Sequence, residues 1–252
     1  MDTSLKSLVS KVPEVTVMFW MIKIISTTLG ETGGDTLSMT LDLGYLKSSI
    51  IFSSIFAIAV FAQIKAKSFK PALYWTTIIA TTTLGTTIAD YATRSLEIGY
   101  SGGSMLLFAL LVISLSIWYR CVGTIAVESI NKSESEIFYW VTIMFSQTLG
   151  TALGDWVADT PGLGYLNAAI IFSGLLLILI SVYFWTGVSR TILFWSAFVL
   201  TRPLGAVLGD YLDKPLLHGG LALSRFSASA VLLSFIILFI YYFPQDAAQK
   251  SH

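Results

Sequence analysis

The sequence predicts an all-α, polytopic membrane protein in which eight transmembrane helices form four repeated two-helix hairpins around a pseudo-symmetry axis along the membrane normal. Three observations predict this fold: the composition, a motif that occurs four times, and an apolar run of about 20 residues in each repeat. Hydrophobic residues make up 55% of the 252 residues and charged residues 12%, whereas soluble domains carry about 25% charged residues. A run of about 20 apolar residues is long enough to cross the bilayer core as a helix.

The motif is Thr-Leu-Gly, three further residues, a small residue and aspartate. Its copies are TLGETGGD at 28–35, TLGTTIAD at 83–90, TLGTALGD at 148–155 and PLGAVLGD at 203–210. An aspartate inside a membrane helix is costly, and its default meaning is a functional site. Four aspartates at equivalent positions of internal repeats therefore predict a polar site or pathway that the repeats build together.

Each repeat begins with an aromatic pair, reaches the motif about ten residues later, and ends with the apolar run. The aromatic pairs are Phe19-Trp20, Tyr74-Trp75, Tyr139-Trp140 and Phe194-Trp195. A Gly-Tyr pair precedes the second span in the first three repeats, with Tyr45, Tyr100 and Tyr165 as the tyrosines. We therefore expect spans at 15–37, 46–66, 72–92, 102–122, 135–157, 165–186, 190–212 and 219–243.

The spacing of the repeats predicts two halves. Equivalent aspartates are 55, 65 and 55 residues apart, and the longer middle step falls in the polar segment 127–136. We expect a first half at 1–126, a cytoplasmic connection at 127–136 and a second half at 137–252, all within one integrated membrane domain. Because a hairpin contains an even number of spans, every repeat enters the membrane from the same side, and the symmetry is of the parallel kind.

Basic residues predict the orientation. Nine lie on the side of the termini, against Lys47, Arg94, Lys214 and Arg225 on the other side, so the positive-inside rule places both termini in the cytoplasm. The aromatic pairs and the three tyrosines would then form the cytoplasmic and outer aromatic belts. Lys23, three residues after Trp20, is expected to snorkel to the cytoplasmic interface.

Helical spacing suggests two roles for the motif. Small residues four apart let membrane helices approach closely, and those of the motif are Gly30, Gly34, Gly85, Gly150, Gly154, Gly205 and Gly209. Oxygen-bearing side chains could instead line a cation pathway that ends in a carboxylate ring. The lining candidates are Thr28, Thr83, Thr148 and Gln147, and the candidate metal ligands are Asp35, Asp90, Asp155 and Asp210. The alternative to a cation pathway is that the motif serves only to pack the helices together.

Glu31 and Arg202 break the repeat symmetry. Glu31 lies four residues before Asp35, so the two carboxylates share a helical face, and repulsion would require a cation between them or a proton on one of them. Glu31 is therefore a candidate proton-coupling acid. Arg202 replaces residues that are threonine or glutamine in the other repeats, and a guanidinium there needs an acid or a water-filled cavity. Pairing with Glu31, and pairing with a motif aspartate or backbone carbonyls, both remain open at this stage.

Several classes of function are not expected. The lone cysteine, Cys121, excludes an internal disulfide and a thiolate cluster, and two histidines do not make a zinc site. No Ser/His/Asp arrangement or nucleotide loop points to an enzyme. The net charge of zero implies no nucleic-acid partner. We expect no cofactor beyond a bound divalent cation, and the lipid bilayer and a small cation as partners; the sequence leaves the oligomeric state open.

The run KVPEVTVMFWMIKIISTTLGETGGDTLSMT at 11–40 resembles the opening of a family of uncharacterised bacterial inner-membrane proteins with repeated TLGxxxGD motifs, and the resemblance covers nearly the whole chain. It implies a bacterial inner-membrane location and no particular activity. More loosely, the chain is similar to cation exporters with a Glu-x-Gly-Asp-Lys/Arg-Ser/Thr motif. Here Glu31 and Asp35 are one residue further apart than in that motif, Thr36 stands in place of its basic residue, and only the first copy has the glutamate.

From these features we expect membrane transport of a small cation, preferably divalent and coupled to proton exchange. The alternative is a membrane scaffold or sensor that transports nothing and uses the motifs for helix packing.

Overall fold

The computed structural model of the protein describes residues 10–159 and 162–248. Within these ranges the fold is all-helical, with eight long helices and no β-strand. The helices are α1 Val17–Asp35, α2 Gly44–Lys65, α3 Pro71–Asp90, α4 Gly99–Val122, α5 Ser133–Asp159, α6 Gly164–Trp185, α7 Arg190–Asp213 and α8 Arg225–Tyr242. Short π-helical turns extend α1 and α3, at Thr36–Thr40 and Tyr91–Ser95.

All predicted span boundaries except the start of α8 lie within three residues of the observed helix ends. Helix α5 begins at Ser133, inside the segment 127–136 that was predicted to be a connection. Glu134 and Glu136 lie in its first turn, where the helix dipole favours negative charge. Helix α8 begins at Arg225 and not at 219, because a 3-10 turn ends there at Gly219 with a positive φ of 80°.

The odd-numbered helices form a closed inner ring in which α1 packs on α3, α3 on α5, α5 on α7 and α7 on α1. The even-numbered helices pack around this ring. Each of them makes its main contact with the odd helix of the following repeat: α2 with α3, α4 with α5, α6 with α7, and α8 with α1. The predicted hairpins are therefore not packed units, because the second helix of each repeat crosses to the next repeat. No repeat has a core of its own, and all four must assemble together.

Glycines of the motif make the ring tight. A Cβ atom on the first motif glycine of each repeat would overlap the next odd helix, at a residue equivalent in all four interfaces. The pairs are Gly30 with Thr82, Gly85 with Gln147, Gly150 with Arg202 and Gly205 with Thr27. The second small position repeats the pattern one turn later, as in Gly34 with Thr86 and Gly209 with Glu31. In the three interfaces where the second small residue is also glycine, the second contact lies four residues later in the chain on both helices, so the ring helices run parallel.

Five helices, α2, α4, α6, α7 and α8, are long and apolar enough to cross a membrane. The four even helices among them are largely exposed on the outside of the ring and carry many of the large exposed hydrophobic side chains, such as Ile58, Phe108 and Leu177. This surface is compatible with a multi-pass membrane protein. Helices α1, α3 and α5 carry buried threonines and carboxylates instead.

Aromatic side chains close the ring at the beginnings of its helices. The first aromatic residue of each repeat contacts the tryptophan of the next, with ring centroids 5.5 to 6.1 Å apart. These contacts are Phe19 with Trp75, Tyr74 with Trp140, Tyr139 with Trp195 and Phe194 with Trp20. The predicted cytoplasmic belt is therefore wrong for these residues, because belt residues face lipid and the odd helices form the inner layer.

Three chain segments cover this aromatic end. Residues 10–16, 123–132 and 243–248 are joined by a β-bridge between Pro13 and Ala247 and by a hydrogen bond from Lys11 N to Ile130 O of 3.1 Å. Trp75 Nε1 donates to Gln245 Oε1 at 2.8 Å, which ties the cover to the aromatic ring. The ring axis is therefore closed at this end.

Candidate functional site

The four motif aspartates lie together at the opposite end of the helix ring from the aromatic side chains. We call Asp35, Asp90, Asp155 and Asp210 the Asp ring, and each is only 1 to 2% exposed. Asp35 and Asp90 are the last residues of α1 and α3. Both helices continue beyond these residues as the π-helical turns Thr36–Thr40 and Tyr91–Ser95, so the carboxylates are buried inside the helix ring, where an ionised group needs a cationic partner. Cations are needed to stabilise the Asp ring.

One such cation is Lys214, which follows the last residue of α7. Its Nζ lies 2.6 Å from Asp35 Oδ2 and 3.1 Å from Asp210 Oδ1, so it bridges the fourth repeat to the first. Burial alone would lower the pKa of Lys214, but the Asp210 and Asp35 carboxylates outweigh that effect and raise the pKa well above its usual value. Lys214 is therefore a charged ammonium at neutral pH.

Arg94 is the corresponding cation in the second repeat. Its Nε lies 3.0 Å from Asp90 Oδ1 and its Nη2 lies 3.0 Å from Asp155 Oδ2, which joins the second repeat to the third. Arg94 and Lys214 each stand four residues after a motif aspartate. Sequence reasoning counted them only as outer charges. The i, i+4 spacing from an intramembrane aspartate was the signal that could have identified them.

A further acid lies beside Lys214. Oxygen atoms of Asp35, Asp210 and Asp213 are all within 4.8 Å of one another, a separation that one cation can bridge because calcium and magnesium bind oxygen at about 2.0 to 2.6 Å. Asp213 also accepts a hydrogen bond of 2.6 Å from Arg225 Nε. This group has the chemistry of a hard-cation site, and it already holds an ammonium.

Arg202 occupies the middle of the ring, one layer from the Asp ring. Its Nη2 lies 3.0 Å from Glu31 Oε2, and it donates to the hydroxyls of Thr86 at 2.6 Å and Thr151 at 2.5 Å. Those three residues are equivalents from repeats one, two and three, so one guanidinium from repeat four links all of them. Arg202 is fully buried and Glu31 is 3% exposed. Of the pairings left open by the sequence, the structure has the ion pair with Glu31 and also one backbone contact, from Arg202 Nη2 to Thr82 O at 3.5 Å.

Lys23 does not reach the aqueous interface as predicted. It is fully buried, its Nζ lies 4.0 Å from the centre of the Phe198 ring, and the nearest polar partner is Thr201 Oγ1 at 3.5 Å. No ion pair is recorded for it within the described residues. The snorkelling argument failed because α1 is an inner helix and the side chain points into the ring.

The predicted lining residues are buried, and each of the three threonines donates its hydroxyl hydrogen within its own helix. Thr28, Thr83 and Thr148 donate to the carbonyls of Ile24, Ile79 and Met144, each four residues earlier on the same helix. Gln147 differs, because neither its Nε2 nor its Oε1 has a hydrogen-bond partner within the described part of the chain. The glycines of the motif lie at helix contacts, as the packing interpretation requires.

Comparisons with known proteins identify the repeat and name no activity. Four segments match the family described as Repeat of Unknown Function (DUF347), at residues 18–69, 73–124, 138–189 and 193–246. These are the four repeats that the motif predicted, and they give no support to the similarity with cation exporters. Neither a curated protein nor a solved structure matches the chain.

Proposed function

Since this chain belongs to the DUF347 repeat family, whose description names no activity, we propose its function from its geometry: transport of a small cation, preferably a divalent metal ion, across the bacterial inner membrane. The observation that carries the proposal is the Asp ring, in which four repeats each place one buried carboxylate at the same end of a closed helix ring. With Asp213 this end holds five buried carboxylates. Arg94, Lys214 and Arg225, which lies 3.5 Å from Asp35, reduce their formal charge from −5 to −2. A divalent cation would balance the remainder.

Unpaired polar atoms along the ring axis support a pathway. Buried polar groups in proteins nearly always have hydrogen-bond partners, yet Ser26 Oγ, Ser146 Oγ, both Gln147 side-chain atoms and Arg202 Nε and Nη1 have none among the described residues. Such groups are expected to bind water or a passing ion. In this conformation the aromatic end is closed, so transport requires a second conformation that opens it. That requirement favours a carrier or a gated pathway over an open channel.

The proposal includes eight membrane spans with cytoplasmic termini. Helices α1, α3 and α5 have 19, 20 and 27 residues, hence lengths of about 28 to 40 Å at 1.5 Å per residue, which matches the bilayer core. Their polar residues face the ring and other helices, where membrane proteins place such groups. Low apolar content therefore reflects their inner position and is consistent with spanning.

We assign proton coupling to Glu31. It lies one helical turn before Asp35, and its present partner is Arg202. A cation that moved inward from the Asp ring would approach Glu31 and compete with Arg202 for the same carboxylate. A nearby cation favours the ionised form of Glu31, whereas a proton on Glu31 removes its attraction for the cation, so the proton and the cation would exclude each other, as proton exchange requires.

A scaffold or sensor remains the second candidate. The motif glycines form all four ring interfaces, and side chains fill the ring axis. Both features would serve a protein that only has to be rigid. The two candidates differ in whether ions cross the membrane.

A flux assay separates them. Purified protein in liposomes loaded with a metal-sensitive dye would be tested with manganese, magnesium, calcium, zinc and nickel. Transport predicts dye signal with at least one ion, lost in Asp155→Asn, because asparagine keeps the size but not the charge. Asp42→Asn is the matched control, since Asp42 is exposed with a φ of 54° that asparagine tolerates. Flux equal to that of empty liposomes for all five ions would reject transport.

A further inference from the structure

The Asp ring divides into two equivalent halves. The position four residues after the motif aspartate is Met39, Arg94, Asp159 and Lys214 in the four repeats, so only the second and fourth repeats supply a base. Each base bridges its own aspartate to that of the next repeat. One half is Asp90 and Asp155 with Arg94, and the other is Asp210 and Asp35 with Lys214. The halves are related by a pseudo-twofold axis within the fourfold arrangement.

Each half also holds a carboxylate oxygen without a partner. Asp35 Oδ1 and Asp155 Oδ1 are buried without a hydrogen-bond partner within the described residues, and the ion pairs of these two aspartates are made through Oδ2. These are the aspartates of the repeats that lack a base. In the Lys214 half, Asp213 Oδ1 is also buried without a hydrogen-bond partner. Ionised carboxylates in a membrane interior are stable only with cationic partners, so each half has ligand capacity that its own base does not use.

The bases are more accessible than the acids they bridge. The side chains of Lys214 and Arg94 are 11% and 31% exposed, whereas those of Asp35, Asp90, Asp155 and Asp210 are 1 to 3% exposed. Lys214 lies just beyond α7 with an extended backbone, φ −70° and ψ 153°, and Arg94 lies in the π-helical turn that extends α3. A rotation of either side chain toward solvent would free two carboxylates without moving the ring helices.

We propose that the Asp ring contains two cation subsites, one in each half, and that Lys214 and Arg94 are tethered cations that occupy these subsites until a small cation displaces them. The proposal takes the class of ligand from the proposed function and does not depend on transport. It explains how the four aspartates are neutralised in part when no small cation is bound. The Lys214 and Arg94 side chains then occupy the subsites.

Removing a competitor should tighten cation binding. Lys214→Met is the natural test, because methionine stands at this position in the first repeat. Binding of Mn²⁺ to chelator-treated protein in detergent would be measured by calorimetry. If the ammonium occupies its subsite at least nine-tenths of the time, its removal lowers the apparent Kd for Mn²⁺ by about tenfold or more. Arg94→Met should do the same independently in the other half.

The control is Lys47→Met, which removes a positive charge from the exposed surface of α2 at the same end of the protein and should leave the Kd unchanged. If Lys214→Met does not fold, Lys214→Gln provides a neutral side chain that can still donate to the carboxylates. Methylammonium serves as a second probe, since the tethered groups are themselves nitrogen cations. The proposal is overturned if Mn²⁺ and methylammonium both bind to the Lys214→Met and Arg94→Met variants no more tightly than to the wild-type protein.

The same proteins separate this proposal from transport. Tighter binding in the variants together with absent liposome flux would retain the two subsites and reject the transport function. Metal flux with unchanged binding in both variants would retain transport and reject the tethered cations.

Discussion

The ion pair between Arg202 and Glu31 gives the most quantitative test of how this structure is stabilised. Both side chains are at most 3% exposed, and Arg202 Nη2 lies 3.0 Å from Glu31 Oε2. Arg202→Met keeps the Cβ and Cγ atoms that pack against Gly150 and removes only the guanidinium and Cδ region. Glu31→Gln keeps the shape and removes the charge.

The two variants should differ in their pH dependence. After Arg202→Met, Glu31 can be neutralised by a proton, which for an ordinary glutamate costs about 4 kcal/mol at pH 7 and about 1 kcal/mol at pH 5. The folded variant then binds one proton more than the unfolded chain, so its stability rises as the pH falls. After Glu31→Gln the Arg202 guanidinium has lost its carboxylate partner, and arginine side chains in proteins stay charged across this pH range. We expect a loss of about 3 to 5 kcal/mol that does not depend on pH.

The double variant should recover much of the loss, because no unpaired charge remains. We expect a coupling energy of about 2 kcal/mol or more at pH 7. The free energy of unfolding would be measured in mixed micelles by the fluorescence of the seven tryptophans, with Arg120→Met as an exposed arginine control. Additive effects within about 0.5 kcal/mol, or a pH-independent loss for Arg202→Met, would refute the reasoning.

Three further predictions concern packing and topology. Gly150→Ala should destabilise by about 1 to 3 kcal/mol because its Cβ would overlap an α7 side chain, whereas Gly33→Ala, whose nearest atom is 3.9 Å away, should be neutral or stabilising in the same unfolding assay; equal losses would contradict this. Tyr74→Phe removes a hydrogen bond of 2.6 Å between the Tyr74 and Tyr139 hydroxyls. We expect it to lower the free energy of unfolding by about 1 to 3 kcal/mol, and we expect Tyr139→Phe in the same protein to reverse part of this loss. Cys121, exposed at the end of α4, should react with an impermeant maleimide in inverted vesicles and not in intact cells; the opposite pattern would reverse the orientation.

Local sequence features predicted where the helices lie in the chain, but they did not predict which helices pack against each other. The apolar runs located the second helix of each repeat, and Pro71 stands at the start of α3, where proline fits a helix best. The same features could not show that α2 packs on α3. Helix periodicity is a property of nearby residues, whereas the packing partner depends on the path of the whole chain.

Site residues divide in the same way. The four aspartates could be identified because the motif repeats and because acids are rare in membrane helices. Lys23 and the aromatic pairs were misassigned, since a residue close to a helix end faces water or lipid only if that helix is on the outside. The roles of Arg94 and Lys214 depend on contacts with acids 61 and 179 residues away in the chain.

The sequence by itself determined that this protein has four helical repeats with an acid at the same place in each, because both signals are local and recur. Only the tertiary structure decided that the odd helices close into a ring, that Arg202 links three repeats through Glu31, Thr86 and Thr151, and that two bases bridge four aspartates. The physical reason is that a charge buried inside the protein must have an oppositely charged partner close to it in space. That partner comes from whichever helix is adjacent, and adjacency is set by glycine contacts between repeats.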